Sequence, residues 1–161
     1  MSKVLVTGCA GFIGSHVTDT LLANGHEVVG IDNFDQFYDP SIKEKNIANA
    51  LSDPAFHLER ADILDSEKLD YIFSTSNFDL VIHLAARAGV RPSIQDPKIY
   101  QRVNVEGTMN ILEAMRKHSV KKIILASSSS VYGNNVKVPY SENDNVDHAI
   151  SPYAATKKAC E

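Results

Sequence analysis

Tyr153 and Lys157, in the segment Ser151-Pro152-Tyr153-Ala154-Ala155-Thr156-Lys157, stand four residues apart. On a helix that spacing puts both side chains on one face. A free tyrosine titrates at about 10, so a phenolate base at neutral pH needs stabilisation. A neighbouring ammonium supplies it by favouring the charged form. The next lysine, Lys158, falls at i+5 and points away from the tyrosine's face. Upstream, the run Ser127-Ser128-Ser129-Ser130 offers hydroxyls that can donate to, or relay a proton from, a substrate oxygen. Tyrosine, lysine and a serine hydroxyl form a set for moving a proton on and off an alcohol. The same spacing also suits an exposed Tyr/Lys pair on a solvated helix, and four serines suit a polar loop at a strand end.

The elements that would position these groups alternate along the chain. Lys3–Thr7 reads as a buried strand and Phe12–Ala23 as a helix, followed by strands over Glu27–Ile31 and Phe56–Arg60. Phe78–Leu84 and Lys122–Ala126 are two more, with helical spacing of apolar residues over Val103–Lys117 between them. A last helix starts near Ser151, with Pro152 in its first turn. Strands alternating with helices imply a parallel sheet covered on both faces. Asp32–Pro40 and Ser127–Ile150 are the longer irregular connections, and such folds place ligands in loops at the carboxyl ends of strands. No linker separates two domains. A sheet of this kind commonly has a sixth strand, and the chain stops inside a helix before one could form.

A second chemical feature lies at the first strand–helix junction. Thr7-Gly8-Cys9-Ala10-Gly11-Phe12-Ile13-Gly14 contains G-x-x-G-x-x-G. Glycines let the backbone turn tightly and approach a pyrophosphate, whose charge is stabilised at a helix N-terminus. Asp32 ends the second strand, 18 residues past Gly14. A carboxylate there hydrogen-bonds an adenosine ribose and repels a 2′-phosphate. Neither the glycine loop nor the residues just after Asp32 offer an arginine for that phosphate, so the combination predicts a dinucleotide site selective for NAD. His83, within an apolar strand, reads as a satisfied core histidine.

The bulk numbers exclude other classes. With 161 residues, 43% hydrophobic and 22% charged, the chain suits one soluble domain with a substantial core. A net charge of −4 without a basic tract argues against nucleic acid and anionic membranes as partners. No apolar run reaches membrane-spanning length, and Met1-Ser2-Lys3-Val4-Leu5 lacks the pattern of a signal peptide. Cys9 and Cys160 lack metal-ligand spacing; no metal is expected, and free thiols imply a reducing, cytoplasmic location.

The glycine loop, Asp32, the RADILD of Arg60–Asp65, the HLAA of His83–Ala86 and Y-x-x-x-K together resemble the extended short-chain dehydrogenase/reductase family. Within it, DNFDQFYDP and HLAARAGVRPS are most similar to nucleotide-sugar 4-epimerases, above all those acting on UDP-glucuronate. The resemblance implies a Rossmann-type doubly wound parallel α/β sheet, truncated before its last strands and before the C-terminal substrate domain. Residues 1–161 would then be an incomplete NAD-binding domain. The resemblance gives Gly8, Gly11 and Gly14 to the pyrophosphate and Asp32 to the ribose, with Phe12, Ile13 and Asn33 among the cofactor-binding residues. It gives Asp62 and Ile63 to the adenine, and Leu84, Ala85, Ala86 and Asn104 to the cofactor cleft or its support. From the residues alone, Asp62 reads as a turn carboxylate. The family's VYG pattern places the catalytic hydroxyl at Ser128, with Ser127 and Ser129 as substrate contacts, beside Tyr153 and Lys157; Lys157 also binds the nicotinamide ribose. Arg87 and Arg91 suit a sugar carboxylate or pyrophosphate, and equally a local surface ion pair.

The implied activity is C4 epimerisation of a UDP-sugar, UDP-glucuronate to UDP-galacturonate, by transient 4-keto oxidation, with a homodimer for the full-length enzyme. Related dehydratases and decarboxylases carry an acidic residue before the VYG, whereas this chain has Ser129-Ser130. An elimination needs that extra acid or base, so its absence favours epimerisation. The alternatives are an NAD-binding fragment without catalysis, or another member of the family such as a nucleotide-sugar dehydratase.

Overall fold

Lys3–Thr7 forms strand β1, in which Val4, Leu5 and Val6 are essentially inaccessible to solvent. The computed structural model describes all residues from Met1 to Glu161. It shows why the early runs are so uniformly apolar: β1 pairs in parallel with β2 (Glu27–Asp32) on one side and β4 (Leu80–His83) on the other. Strands flanked on both sides and covered on both faces have no polar side to present. β3 (Phe56–Arg60) and β5 (Ile123–Leu125) are the edges, with partly exposed patterns. The sheet order is β3-β2-β1-β4-β5, all parallel. The order reverses between β1 and β4, the position where open α/β sheets leave a crevice beyond their carboxyl ends.

The chain divides into two compact units. The first, Met1–Ala85 with Asn110–Leu125, holds the whole sheet. Its core is Val4, Val6, Cys9, Val28 and Ile82, packed by Val17, Leu21 and Leu22 of helix α1 (Phe12–Ala23) and by Phe56, Leu58, Leu80 and Leu84. It also contains α2 (Pro40–Asn46) and α3 (Ser66–Ser74). The second unit, Ala86–Met109 with Ala126–Glu161, contains α4 (Val90–Gln95), α5 (Pro97–Tyr100), a π-helical stretch over Gln101–Glu106, a 3-10 turn over Ser129–Tyr132 and the terminal helix α7 (Pro152–Cys160). Helix α6 covers Gly107–Lys117. No helix is long and apolar enough to cross a membrane.

The expected strands and the first and last helices are present, with shifts at their ends. β2 extends through Asp32, whose backbone carbonyl accepts from Ala61 N. β4 starts at Leu80 rather than Phe78, because Phe78 instead packs edge-on against Phe73 of α3. The single helix expected over Val103–Lys117 is a π stretch followed by α6. α2, α3, α4 and α5 have no counterpart among the elements expected from sequence, although α2, α3 and α5 each begin at a capping aspartate. Asp39, Asp65 and Asp96 accept from Ser41 N, Lys68 N and Ile99 N respectively.

Candidate functional site

In the first unit, the glycine loop is shaped by close approach. Gly8 has φ +70°, a left-handed conformation, and its N–H donates to Ile31 O at 2.7 Å. A Cβ on Gly8 would lie 2.8 Å from Ala85 N, and one on Gly14 only 2.0 Å from Gly8 O. The loop is thus folded tightly onto itself and onto the chain leaving β4, leaving no room for side chains. Gly11 is the N-cap of α1 and supplies no side-chain acceptor, so the first N–H groups of this twelve-residue helix remain open to an anion. Phe12 and Ile13 are exposed at the same end. A pyrophosphate fits this cradle: backbone donors, a helix N-terminus and no obstructing Cβ.

Asp32 lies beside it, 5% exposed. Its Oδ2 accepts from Ala10 N of the glycine loop at 3.2 Å, and its Oδ1 from Phe34 N at 2.8 Å. Lys43 Nζ completes the set, donating to Oδ1 at 2.9 Å in an ion pair with both side chains nearly buried. Removing one partner of such a pair typically costs about 3–5 kcal/mol. Asn33 Nδ2 donates to Asp62 Oδ2 at 2.9 Å, while Asp62 Oδ1 accepts from Leu64 N, so Asp62 does serve a turn at the end of β3. Ile63 is buried, its carbonyl taken by Asn110 Nδ2. Leu84 N and Ala85 N both donate to Thr7 Oγ1, which also bonds His83 Nδ1 at 2.6 Å. His83 is 2% exposed and serves the core. Cys9, fully buried, has its thiol pushed up to about 12, by burial first and by the Asp32 charge second.

The second unit gathers the proton-transfer set. Ser151 caps α7 by accepting from Ala154 N, and Pro152 occupies the first turn, so Tyr153 and Lys157 sit one turn apart as their spacing requires. Tyr153 is half-buried and its N–H donates to Ser93 Oγ. The Tyr100 ring meets it edge-on at 6.1 Å, with the Tyr100 hydroxyl anchored on Ala88 O. Burial pushes the Tyr100 phenol up. Lys157 is 6% exposed and donates to Ala126 O at 2.8 Å, the carbonyl that opens the serine loop. Burial holds its ammonium below the usual lysine range.

Ser128 caps the following 3-10 turn by accepting from Ser130 N, while Ser127 and Ser129 are exposed. Ser127 Oγ donates to Glu161, so a carboxylate does reach the serine loop, from the far end of α7. That hydrogen bond, with help from Lys158, holds Glu161 below the usual carboxylate range. It is therefore an acceptor near neutral pH rather than a general acid.

Asn104 is the hinge of this unit. It is 1% exposed in the π stretch, a helix form enriched at functional sites. Its Oδ1 accepts from Arg87 N at 2.8 Å, and its Nδ2 donates to Arg87 O at 3.1 Å and to Thr156 Oγ1 at 3.0 Å. Both amide hydrogens are used inside the protein, so the role its geometry shows is positioning α7. Arg91 is exposed on the first turn of α4. Lys43, Tyr100, Ser93 and Glu161 escaped the sequence reading. Only Glu161, four residues past Lys157 at the C-cap of α7, had a spacing that could have revealed it.

Sheet order, glycine cradle and Tyr-x-x-x-Lys helix define a Rossmann-type α/β protein of the short-chain dehydrogenase kind. Within that class, the chain belongs to the extended family whose model is described as GDP-mannose 4,6 dehydratase and matches residues 5–161. A UDP-glucuronate 4-epimerase of Thermodesulfobacterium geofontis is 44% identical over 161 residues, covering all of this chain and 50% of that protein. The UDP-glucuronic acid 4-epimerase of Bacillus cereus, solved with UDP-glucuronic acid and NAD, is 38% identical with a TM-score of 0.88, covering 98% of this chain and 49% of that one. A UDP-Glc/GlcNAc 4-epimerase of Campylobacter jejuni superposes with a TM-score of 0.91 at 29% identity, over 99% and 47% of the two chains. The chain spans about half the length of the curated relatives it matches.

Proposed function

We propose that the chain carries the cofactor-binding and proton-transfer elements of an NAD-dependent nucleotide-sugar 4-epimerase, with UDP-glucuronate and UDP-galacturonate as the exchanged pair. The observation that carries this reading is the set on α7 and its serine loop: Tyr153 and Lys157 one turn apart, with Lys157 fixed on Ala126 O. The relatives support the substrate, since a 44% identical protein is a UDP-glucuronate 4-epimerase.

In this reading Tyr153 accepts the proton of the sugar 4-hydroxyl and returns it to the 4-oxygen after the ketone has presented its other face. Bound NAD supplies a reversible hydride acceptor for C4 and is regenerated. Ser128 hydrogen-bonds the reacting oxygen. Lys157 orients the nicotinamide ribose from one turn along the same helix. Gly8, Gly11, Phe12, Ile13 and Gly14 hold the pyrophosphate, and Asp32 and Asn33 the adenosine ribose. Asp62 and Ile63 meet the adenine, Leu84, Ala85 and Ala86 line the cleft, and Asn104 keeps α7 in place. Ser127, Ser129, Arg87 and Arg91 are the substrate contacts. A homodimer and a cytoplasmic location belong to the same reading.

The family's descriptive name is that of a dehydratase, but the serine loop itself has Ser129-Ser130 where related dehydratases carry an acidic residue, which favours epimerisation over elimination. A second reading, NAD binding without turnover, rests on the glycine cradle and the buried Asp32 alone, both in the first unit. Incubating the chain with NAD and UDP-glucuronate and resolving UDP-galacturonate decides between them. Product that disappears in Tyr153→Phe establishes the epimerase; bound NAD with no product establishes the second reading, and no NAD binding sinks both.

A further inference from the structure

The end of β2 holds a cation that cofactor selection by Asp32 does not require. Lys43 is 8% exposed, and its ammonium, which has three donors, bonds a single acceptor, Asp32 Oδ1, at 2.9 Å. The Tyr38 ring lies 5.5 Å from it. Asp32 also has a backbone donor on each oxygen, Phe34 N on Oδ1 and Ala10 N on Oδ2. Oδ2, on the glycine-loop side, has one partner and retains capacity for a sugar hydroxyl. The other cation near the end of β2, Arg60, is the register partner of Asp32 but is committed elsewhere. It binds Glu44 through two contacts at 2.8 and 2.9 Å and stacks over the Phe34 ring at 3.9 Å. Lys43 is thus the cation that answers to Asp32 alone.

We propose that Asp32 and Lys43 act together as the cofactor selector: Asp32 rejects a 2′-phosphorylated dinucleotide, and Lys43 is a masked receptor for that phosphate. The inference rests on the dinucleotide-binding reading above. With Asp32 ionised, the ammonium is neutralised in place and the carboxylate repels a second anion at the same spot. With residue 32 neutral, the ammonium is left with no anionic partner, and a 2′-phosphate satisfies it through a charge-assisted hydrogen bond. Lys43 also softens rejection in the intact pair, so its loss sharpens preference for the unphosphorylated cofactor.

The test is calorimetric titration of the 161-residue chain with NAD and with NADP. Asp32→Asn should raise NADP affinity relative to NAD by about tenfold or more, the size of one charge-assisted hydrogen bond, and Asp32→Asn/Lys43→Met should abolish the gain. An unmoved ratio in Asp32→Asn, or a gain that survives in the double variant, overturns the proposal. Should Asp32→Asn fail to fold with its ammonium unpaired, Lys43→Met decides by itself, since Asp32 keeps both backbone donors. NADP binding should then weaken several-fold more than NAD binding, whereas equal weakening overturns the masked-receptor role. A wild-type chain without affinity for NAD refutes the dinucleotide reading and this inference with it; NAD binding with unmoved selectivity refutes this inference alone.

Discussion

Asn104→Ala is the substitution that most directly tests how α7 is held. It deletes the acceptor of Arg87 N and the donor to Arg87 O and to Thr156 Oγ1. Thr156 keeps a partner, because its hydroxyl also donates to Tyr153 O at 2.8 Å. The loss therefore falls on the two backbone groups of Arg87. An unsatisfied buried polar group costs about 1–3 kcal/mol, which for two partly buried groups gives a destabilisation of about 3 kcal/mol. In a chain of this size that corresponds to a drop in Tm of roughly 6–12 °C. Asn104→Asp is the companion variant. One of its oxygens still accepts from Arg87 N, but the other faces the Arg87 carbonyl, so burial and that carbonyl raise the new carboxyl's pKa. A carboxyl with a raised folded-state pKa contributes stability below its unfolded value, about 3.9, and loses it as pH rises through the folded one. Urea unfolding followed by circular dichroism at pH 4 and pH 8 checks both. Asn104→Ala should lose about the same amount at each pH, and Asn104→Asp should lose more at pH 8 than at pH 4. A loss below about 1 kcal/mol for Asn104→Ala at both would refute the hinge role.

Other expectations can be checked on the same material. Gly14→Ala forces a methyl to within 2.0 Å of Gly8 O, and should destabilise by about 3 kcal/mol or more, whereas Gly25→Ala, at φ +76° with open space around it, should cost only about 1–2 kcal/mol. Equal melting temperatures for the two glycine variants would contradict the cradle geometry. The Lys157 ammonium titrates below the ordinary 10.5 in the fold because it is buried. The unfolded chain therefore binds more protons between the two values, and wild-type stability should rise toward pH 10.5 in a way Lys157→Met does not share. A parallel pH profile for the two proteins would contradict it. Cys9, pushed up to about 12 and shielded from solvent, should resist a thiol reagent at neutral pH until urea unfolds the chain. Labelling of Cys9 in the native state, located by mass spectrometry, would argue against its burial.

The parts of this molecule that were legible from sequence are those encoded within a few residues. The glycine triplet, the β-branched runs and the Tyr153/Lys157 spacing are local signals, and the structure places them on the elements expected. What escaped is long-range or masked. Lys43 reaches Asp32 because α2 folds back toward the end of β2, and no short-range pattern marks that pairing. Tyr100 meets Tyr153 across a separation of half a hundred positions for the same reason. α2 is short and polar, so its capping aspartate was the readable signal, whereas α3 also carried Leu69, Ile72 and Phe73 at helical spacing on its buried face. The π stretch was invisible because its apolar spacing runs smoothly into that of α6; what distinguishes it is the hydrogen-bonding demand of Asn104.

The central position of β1 has a consequence for synthesis on the ribosome. β1 leaves the exit tunnel before its neighbours, and the strand that covers its second edge, β4, is encoded far downstream: Thr7 and His83, paired in the finished sheet, are 76 residues apart. At about 5–20 residues per second, roughly 4–15 s pass between the emergence of one and the other. Through that interval Val4, Leu5 and Val6 present an unpaired, apolar strand edge, the kind of surface that nucleates association between nascent chains. Codon usage or chaperone capture over the stretch between β2 and β4 would therefore influence yield more than the same intervention placed after β4.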